Sequence, residues 1–211
     1  MKLALFSFHI TPDHAKRMSD MVGKDSKNVS VCFITTAATP YLDSDGDVPR
    51  WLQESIDVVK ESFGVVDTFD IENQSADFDY KSHFAKYDVV FVGGGNVYYL
   101  AYILQQSGVR DVLRDLISTK RIVYAGGSAG AVILGKDIGY YNTIDDPNDA
   151  PEVVTTGLNL IEFMPIVHWE DETYYEKLKV VKEKYMDDGV LTITLTDNEA
   201  LFVDGGSLDK V

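Results

Sequence analysis

The amino-acid sequence predicts an α/β fold: three layers, α/β/α, around a doubly wound and mostly parallel sheet. Three observations carry this reading. Short apolar runs rich in β-branched and aromatic residues recur along the chain. Longer amphipathic stretches alternate with them, as crossover helices alternate with the strands of a parallel sheet. The runs are hydrophobic almost throughout, which is the pattern of strands covered on both faces rather than one.

The elements follow in order. Leu3–Phe8 is the first buried strand; it breaks at His9 and Asp13 and lacks the length and cleavage site of a signal peptide. Further strands are expected at Val29–Thr35, Val65–Ile71, Val89–Val92, Ile122–Tyr124 and Leu191–Thr196. Helices are expected over Asp13–Val22, Pro49–Phe63, Val97–Gln106, Val109–Ser118 and Glu172–Met186. The apolar run Leu160–Val167 reads as one more strand, ending at His168. Asp43–Asp47 and Asp145–Pro151 are polar connections, and no internal repeat is visible. Residues 1–211 are therefore expected to form one domain.

Composition excludes more than it names. Lys and Arg total 19 against 34 Asp and Glu, a formal net charge of −15, with no basic stripe to offset it. Such a field repels nucleic acid and anionic membrane surfaces. No apolar run reaches the ~18 residues of a membrane span. Cys32 is the single cysteine and has no partner for an internal disulfide, which fits a reducing compartment and a cytoplasmic location. A homodimer is one assembly the sequence allows.

In open α/β sheets ligands bind beyond the carboxyl ends of the strands. Two glycine-rich turns are expected there. The first is Gly93-Gly94-Gly95-Asn96; the second is Gly126-Gly127-Ser128-Ala129-Gly130-Ala131. Within the second, Gly126-x-Ser128-x-Gly130 matches a nucleophile elbow, a sharp strand-to-helix turn that holds a serine clear of the backbone. Small residues two positions either side relieve crowding, and the N–H of Ala129 becomes available to a developing oxyanion. A phosphate-binding turn or a tight packing turn would look similar. The P-loop resemblance of Gly130 to Lys136 fails because Asp137 replaces the hydroxyl residue. Gly93–Gly95 lacks the third glycine of a dinucleotide fingerprint. No Cys/His cluster has zinc spacing, so neither metal nor cofactor is expected.

A serine nucleophile needs a base, usually histidine, and an acid to orient it. Among four histidines, His14 and His83 sit in helical or polar contexts and are expected to be solvated. His9 follows the first strand, and His168 ends an apolar run at a functional edge.

These residues resemble the dipeptidase E (aspartyl dipeptidase) family of serine peptidases, which includes cyanophycinase-like enzymes. The resemblance rests on Val92-Gly93-Gly94-Gly95-Asn96, Gly127-Ser128-Ala129-Gly130-Ala131, and Gly157-Leu158-Asn159-Leu160 leading to His168, in that order. It implies a fold like that of class I glutamine amidotransferases, with serine where those enzymes carry cysteine. It also implies Ser128 as nucleophile, His168 as base, and Gly95 and Ala129 as oxyanion donors. For the acid, a gap-free alignment favours Asp146, while the string Asn148-Asp149-Ala150-Pro151 favours Asp149; Asp145 lies beside both. The implied activity is that of a serine-type dipeptidase on small peptides. A cyanophycinase-like or other amide or ester hydrolase, or a ligand-binding member without turnover, would use the same residues. One departure stands out: the arginine that relatives place after His168 to recognise an acidic amino-terminal residue is missing. Lys177 and Lys179 are the nearest substitutes.

Overall fold

A computed structural model describes residues 1–211. Five parallel strands form the centre of the sheet: β1 (Lys2–Phe6), β2 (Ser30–Ile34), β3 (Val65–Phe69), β4 (Val89–Val92) and β5 (Val123–Gly127). They lie side by side in the order β3-β2-β4-β5-β1. Alternate residues of β1, β2, β4 and β5 enter different cores, while the edge strand β3 is largely exposed. Leu3 and Leu5, Cys32 and Ile34, and Val90 and Val92 point into one cluster of 42 buried residues. Ala4 and Phe6, Val31 and Phe33, and Val89 and Phe91 point into a second cluster of 19 on the other face. That two-sided burial is why the strands read as unbroken apolar runs.

Helices α1 (Pro12–Val22) and α2 (Arg50–Ser62) cover the smaller core with Met18, Leu52, Ile56 and Val59. The larger core is covered by α3 (Tyr80–Phe84), α4 (Val97–Gln106) and α5 (Val109–Ser118). The α/β/α layering and the mostly parallel sheet are thus as the sequence predicts.

The differences lie in the last third of the chain. α6 (Ala129–Val132) is a single turn, so the elbow runs into a loop rather than a long helix. β6 (Phe163–Ile166) and β7 (Leu191–Thr194), joined through α7 (Tyr175–Asp187), pair in parallel as a separate two-stranded sheet. The run Leu191–Thr196 therefore does not enter the main sheet. The main sheet instead gains a hairpin, β8 (Ala200–Asp204) and β9 (Ser207–Lys210), with β8 antiparallel to β1. Its turn, Asp204-Gly205-Gly206, carries the composition of a tight hairpin connection. Another correction concerns His14, which is buried rather than solvated. Its Nδ1 accepts from the N–H of Thr11 while Thr11 Oγ1 accepts from the N–H of His14, a reciprocal cap on α1. No helix is long and apolar enough to cross a membrane.

Candidate active site

The carboxyl ends of β1, β4 and β5 meet at one edge, bringing Ser7, the Gly93–Gly95 turn and Ser128 together. Ser128 has φ 49° and ψ −113°, a conformation in which a non-glycine residue is strained. Three backbone bonds hold it: its N–H donates to Phe6 O at 3.0 Å, and its carbonyl accepts from Ala131 N–H at 2.8 Å and Val132 N–H at 3.1 Å. The flanking glycines are required by space. A Cβ at Gly126 would lie 2.3 Å from Gly130 O, and one at Gly130 would lie 2.1 Å from Val92 O. The G-x-S-x-G spacing is thus a packing requirement of the turn itself.

Ser128 Oγ lies 2.9 Å from His168 Nε2. On the other side of the ring, His168 Nδ1 lies 2.8 Å from Asp197 Oδ1. Both residues arrive from the two-stranded sheet. Ile166 pairs with Thr194, and the chain beyond each partner reaches the same edge, with His168 following β6 and Asp197 following β7. His168 itself has φ 56°. Its N–H donates to Ser7 Oγ at 2.6 Å, and Trp169 N–H donates to Leu195 O at 2.9 Å, fixing the bend on both sides. Burial pushes the Asp197 carboxyl up, but the hydrogen bonds from His168 and Ser7 and the charges of His168 and His9 outweigh it. The result lies below the usual carboxylate range.

The carboxylate set against His168 is therefore Asp197 and not Asp146, the acid that the gap-free alignment favours. Asp146 is exposed and accepts from the N–H and side-chain amide of Asn148 at 2.9 Å, capping a short turn. Asp149 Oδ2 accepts from Asn96 Nδ2 at 3.0 Å, and Asp145 Oδ2 accepts from Val97 N–H at 2.9 Å. Together these bonds tie the 145–149 loop to the start of α4. The sequence did carry a signal for Asp197: an apolar run, Leu191–Leu195, ends in Thr196-Asp197 much as Ile166-Val167 ends in His168. Searching only between Ser128 and His168 misses it.

Gly95, at φ 140°, occupies a backbone region that favours glycine, and a Cβ there would lie 2.1 Å from Ala37 O. Gly94 approaches Ser128 more closely, where a Cβ would lie 3.2 Å from the serine Cβ. The N–H groups of Gly94, Gly95 and Ala129 donate to no group of the protein. Neither His9 nor His83 hydrogen-bonds Ser128: His9 is exposed and its N–H donates to Asp197 O, and His83 stacks on Phe69. Cys32 is no rival nucleophile, since it is fully buried and its thiol is pushed up to about 12, chiefly by burial.

In front of Ser128 lies a cavity of about 430 Å³, within the size range of small-ligand pockets. Its walls include the aromatic side chains of Phe8, Tyr41, Trp51 and Tyr174 and the carboxylates of Asp145, Asp171 and Asp197. No lysine or arginine lines it.

Two uncharacterized peptidases are similar in sequence. Lmo0363 of Listeria monocytogenes is 27% identical over 83% of this chain and 76% of its own length. PM1590 of Pasteurella multocida is 25% identical over 75% of this chain and 74% of its own length. Among solved structures, a candidate peptidase E protein from Listeria monocytogenes EGD-e has a TM-score of 0.82 at 24% identity, covering 100% of this chain and 97% of that one. A peptidase from an acI-B1 actinobacterium has a TM-score of 0.60 at 18% identity, covering 100% and 86%. These structures share the fold. The description of peptidase family S51 matches residues 5–211, nearly the whole chain. This chain belongs to peptidase family S51 and is a serine peptidase hydrolase.

Proposed function

We propose that the chain hydrolyses short peptides by acyl transfer, with Ser128 as nucleophile, His168 as general base and Asp197 as the acid that orients it. The observation that carries this reading is the unbroken line of hydrogen bonds from Ser128 Oγ through both ring nitrogens of His168 to Asp197. Oγ attacks the scissile carbonyl while Nε2 takes its proton, and the tetrahedral oxyanion forms. His168 then gives that proton to the leaving amine, which departs and leaves an acyl-serine. Water, deprotonated by the same nitrogen, releases the acid and restores Ser128. Asp197 holds the Nδ1–H tautomer and stabilises the imidazolium in each half-reaction.

Oxyanion stabilisation falls to the N–H groups of Gly95 and Ala129, in keeping with their lack of any acceptor within the protein. α6, being one turn long, adds little dipole to them. The volume of the cavity supports a dipeptide-sized substrate.

The test pairs a fluorophosphonate probe with a dipeptide panel. Probe adduct at Ser128 and dipeptide hydrolysis, both lost in a folded Ser128→Ala protein, are expected. Hydrolysis at wild-type rate by that variant overturns the serine mechanism. Labelling of Ser128 with no turnover of any dipeptide overturns the substrate class.

A further inference from the structure

The main cavity narrows into a crevice beside the nucleophile. Ser128, Ile144, Asp145, His168 and Tyr174 line both spaces. Asp145 is the one carboxylate at this junction that the proposed proton relay does not use. Its Oδ2 accepts from Val97 N–H, but Oδ1 accepts from no group of the protein. No buried side-chain oxygen lacks a partner, so Oδ1 is accessible from the cavity. Of the two other carboxylates in the walls, neither is both free of the relay and beside the nucleophile: Asp171 lines the main cavity but not the crevice at Ser128. Asp197 takes bonds from His168 and Ser7, and Asp171 caps its own turn by accepting from Thr173 N–H.

A carboxylate placed this way lacks a cation. Burial pushes its carboxyl up to about 6, against the Val97 hydrogen bond and the His168 charge. No lysine or arginine in the wall supplies a counter-charge. Aromatic rings at Tyr41, Trp51 and Tyr174 add faces that favour a cation. In a peptide, the α-ammonium nitrogen is bonded to the carbon next to the first carbonyl. A group that holds it while Ser128 attacks must therefore lie beside Ser128, where Asp145 lies.

We propose that Asp145 binds the α-ammonium group of the substrate's amino-terminal residue, so that the enzyme cleaves after that residue and requires a free amino terminus. The proposal rests on the peptidase reading above. It gives Asp145 a role in specificity rather than in the proton relay.

The test compares kcat/KM for Leu-Leu and N-acetyl-Leu-Leu in the wild type and in Asp145→Asn, which keeps an acceptor for Val97 N–H. The wild type is expected to prefer the free amine by ~10²-fold or more, since a buried polar group left unpaired disfavours the blocked analogue. Asp145→Asn is expected to cut that ratio by at least ~10-fold, mainly through KM for Leu-Leu. A packing defect would lower both substrates alike and leave the ratio unchanged, which overturns the proposal. Equal rates on the two peptides in the wild type also overturn it, while leaving the peptidase reading intact. Turnover of no free or acetylated member of the dipeptide panel, with Ser128 still labelled by fluorophosphonate, defeats the dipeptide reading and this inference with it.

Discussion

Ser7 Oγ donates to Asp197 Oδ1 at 2.9 Å and accepts from the backbone N–H of His168 at 2.6 Å. One fully buried hydroxyl thus fixes both the Asp197 carboxylate and the main chain that carries His168. In the proposed relay Ser7 is a positioning residue, acting through Asp197 and His168. Ser7→Ala is expected to lower kcat by ~10–100-fold with little change in KM, because it leaves His168 N–H without an acceptor. It also removes one donor from Asp197, making the carboxylate a stronger partner for the imidazolium. The acid limb of the kcat/KM profile should move to higher pH. A uniform loss of activity with an unmoved profile would mean that Ser7 only packs.

Asp197 and Asp146 can be separated by the same change. Asp197→Asn is expected to lower kcat by ~10⁴-fold, since an amide against Nδ1 favours the wrong tautomer. Asp146→Asn, on an exposed turn, should stay within a few-fold of wild type. Comparable losses in both variants would remove Asp197 from the mechanism.

The elbow glycines give a stability prediction. Gly130→Ala puts a Cβ 2.1 Å from Val92 O, and the neighbour is backbone that cannot swing away. A loss of ~1–3 kcal/mol or more in urea unfolding is expected, as for overpacked cores. Gly206→Ala, with nothing within 4 Å and no positive φ, should change stability little. A Gly130→Ala protein as stable as wild type would show that the turn relaxes.

Acidic amino-terminal residues should not be preferred. No arginine or lysine lines the cavity; Lys179 instead pairs with Glu176 at 2.7 Å. Burying a substrate carboxylate there would leave it without a cation. kcat/KM for Asp-Leu is expected to fall below that for Leu-Leu, with no change in the ratio on Lys177→Ala or Lys179→Ala. A preference for Asp-Leu above ~100-fold, worth ~2.7 kcal/mol, would defeat the prediction.

Asp145 also predicts a pH-dependent stability. A carboxyl held above its usual range binds its proton more tightly in the folded than in the unfolded chain. Its contribution is complete below the ordinary carboxylate range and is lost as pH rises through about 6. Asp145→Asn should therefore raise Tm at pH 7.5, by about 3–6 °C, and leave it nearly unchanged at pH 4. A lower Tm at pH 7.5 would show that the carboxylate is stabilised by the fold.

Much of this was legible in the sequence. Runs such as Val89–Val92 and Val29–Ile34 betray strands because both faces of each are buried, and Gly126 and Gly130 betray the elbow because their space is filled by backbone. Asp197 was harder to find. Its placement depends on β7 leaving the main sheet to pair with β6, and apolar content alone does not reveal which strand a strand will join. The hairpin β8–β9 lies at the sheet edge, where β9 is exposed throughout and so lacks a buried pattern. His14 shows the opposite difficulty, since a polar residue in a helical context was buried through a cap.

The separate β6–β7 ladder divides the proposed proton relay between two sheets. Ser128 follows β5 of the main sheet, whereas His168 and Asp197 follow the strands of a short ladder that packs into the larger core through Phe163, Met164, Ile166 and Leu195 and is tied to β1 by Ser7 and by the His9 N–H bond to Asp197 O. The proposed relay therefore depends on how well that ladder is seated against the main sheet. β7, the half-exposed strand of the ladder, is the part expected to open first during gradual denaturation, so turnover should fade before the circular dichroism of the central sheet does. Amide exchange should be faster in 163–166 and 191–194 than in β4 and β5.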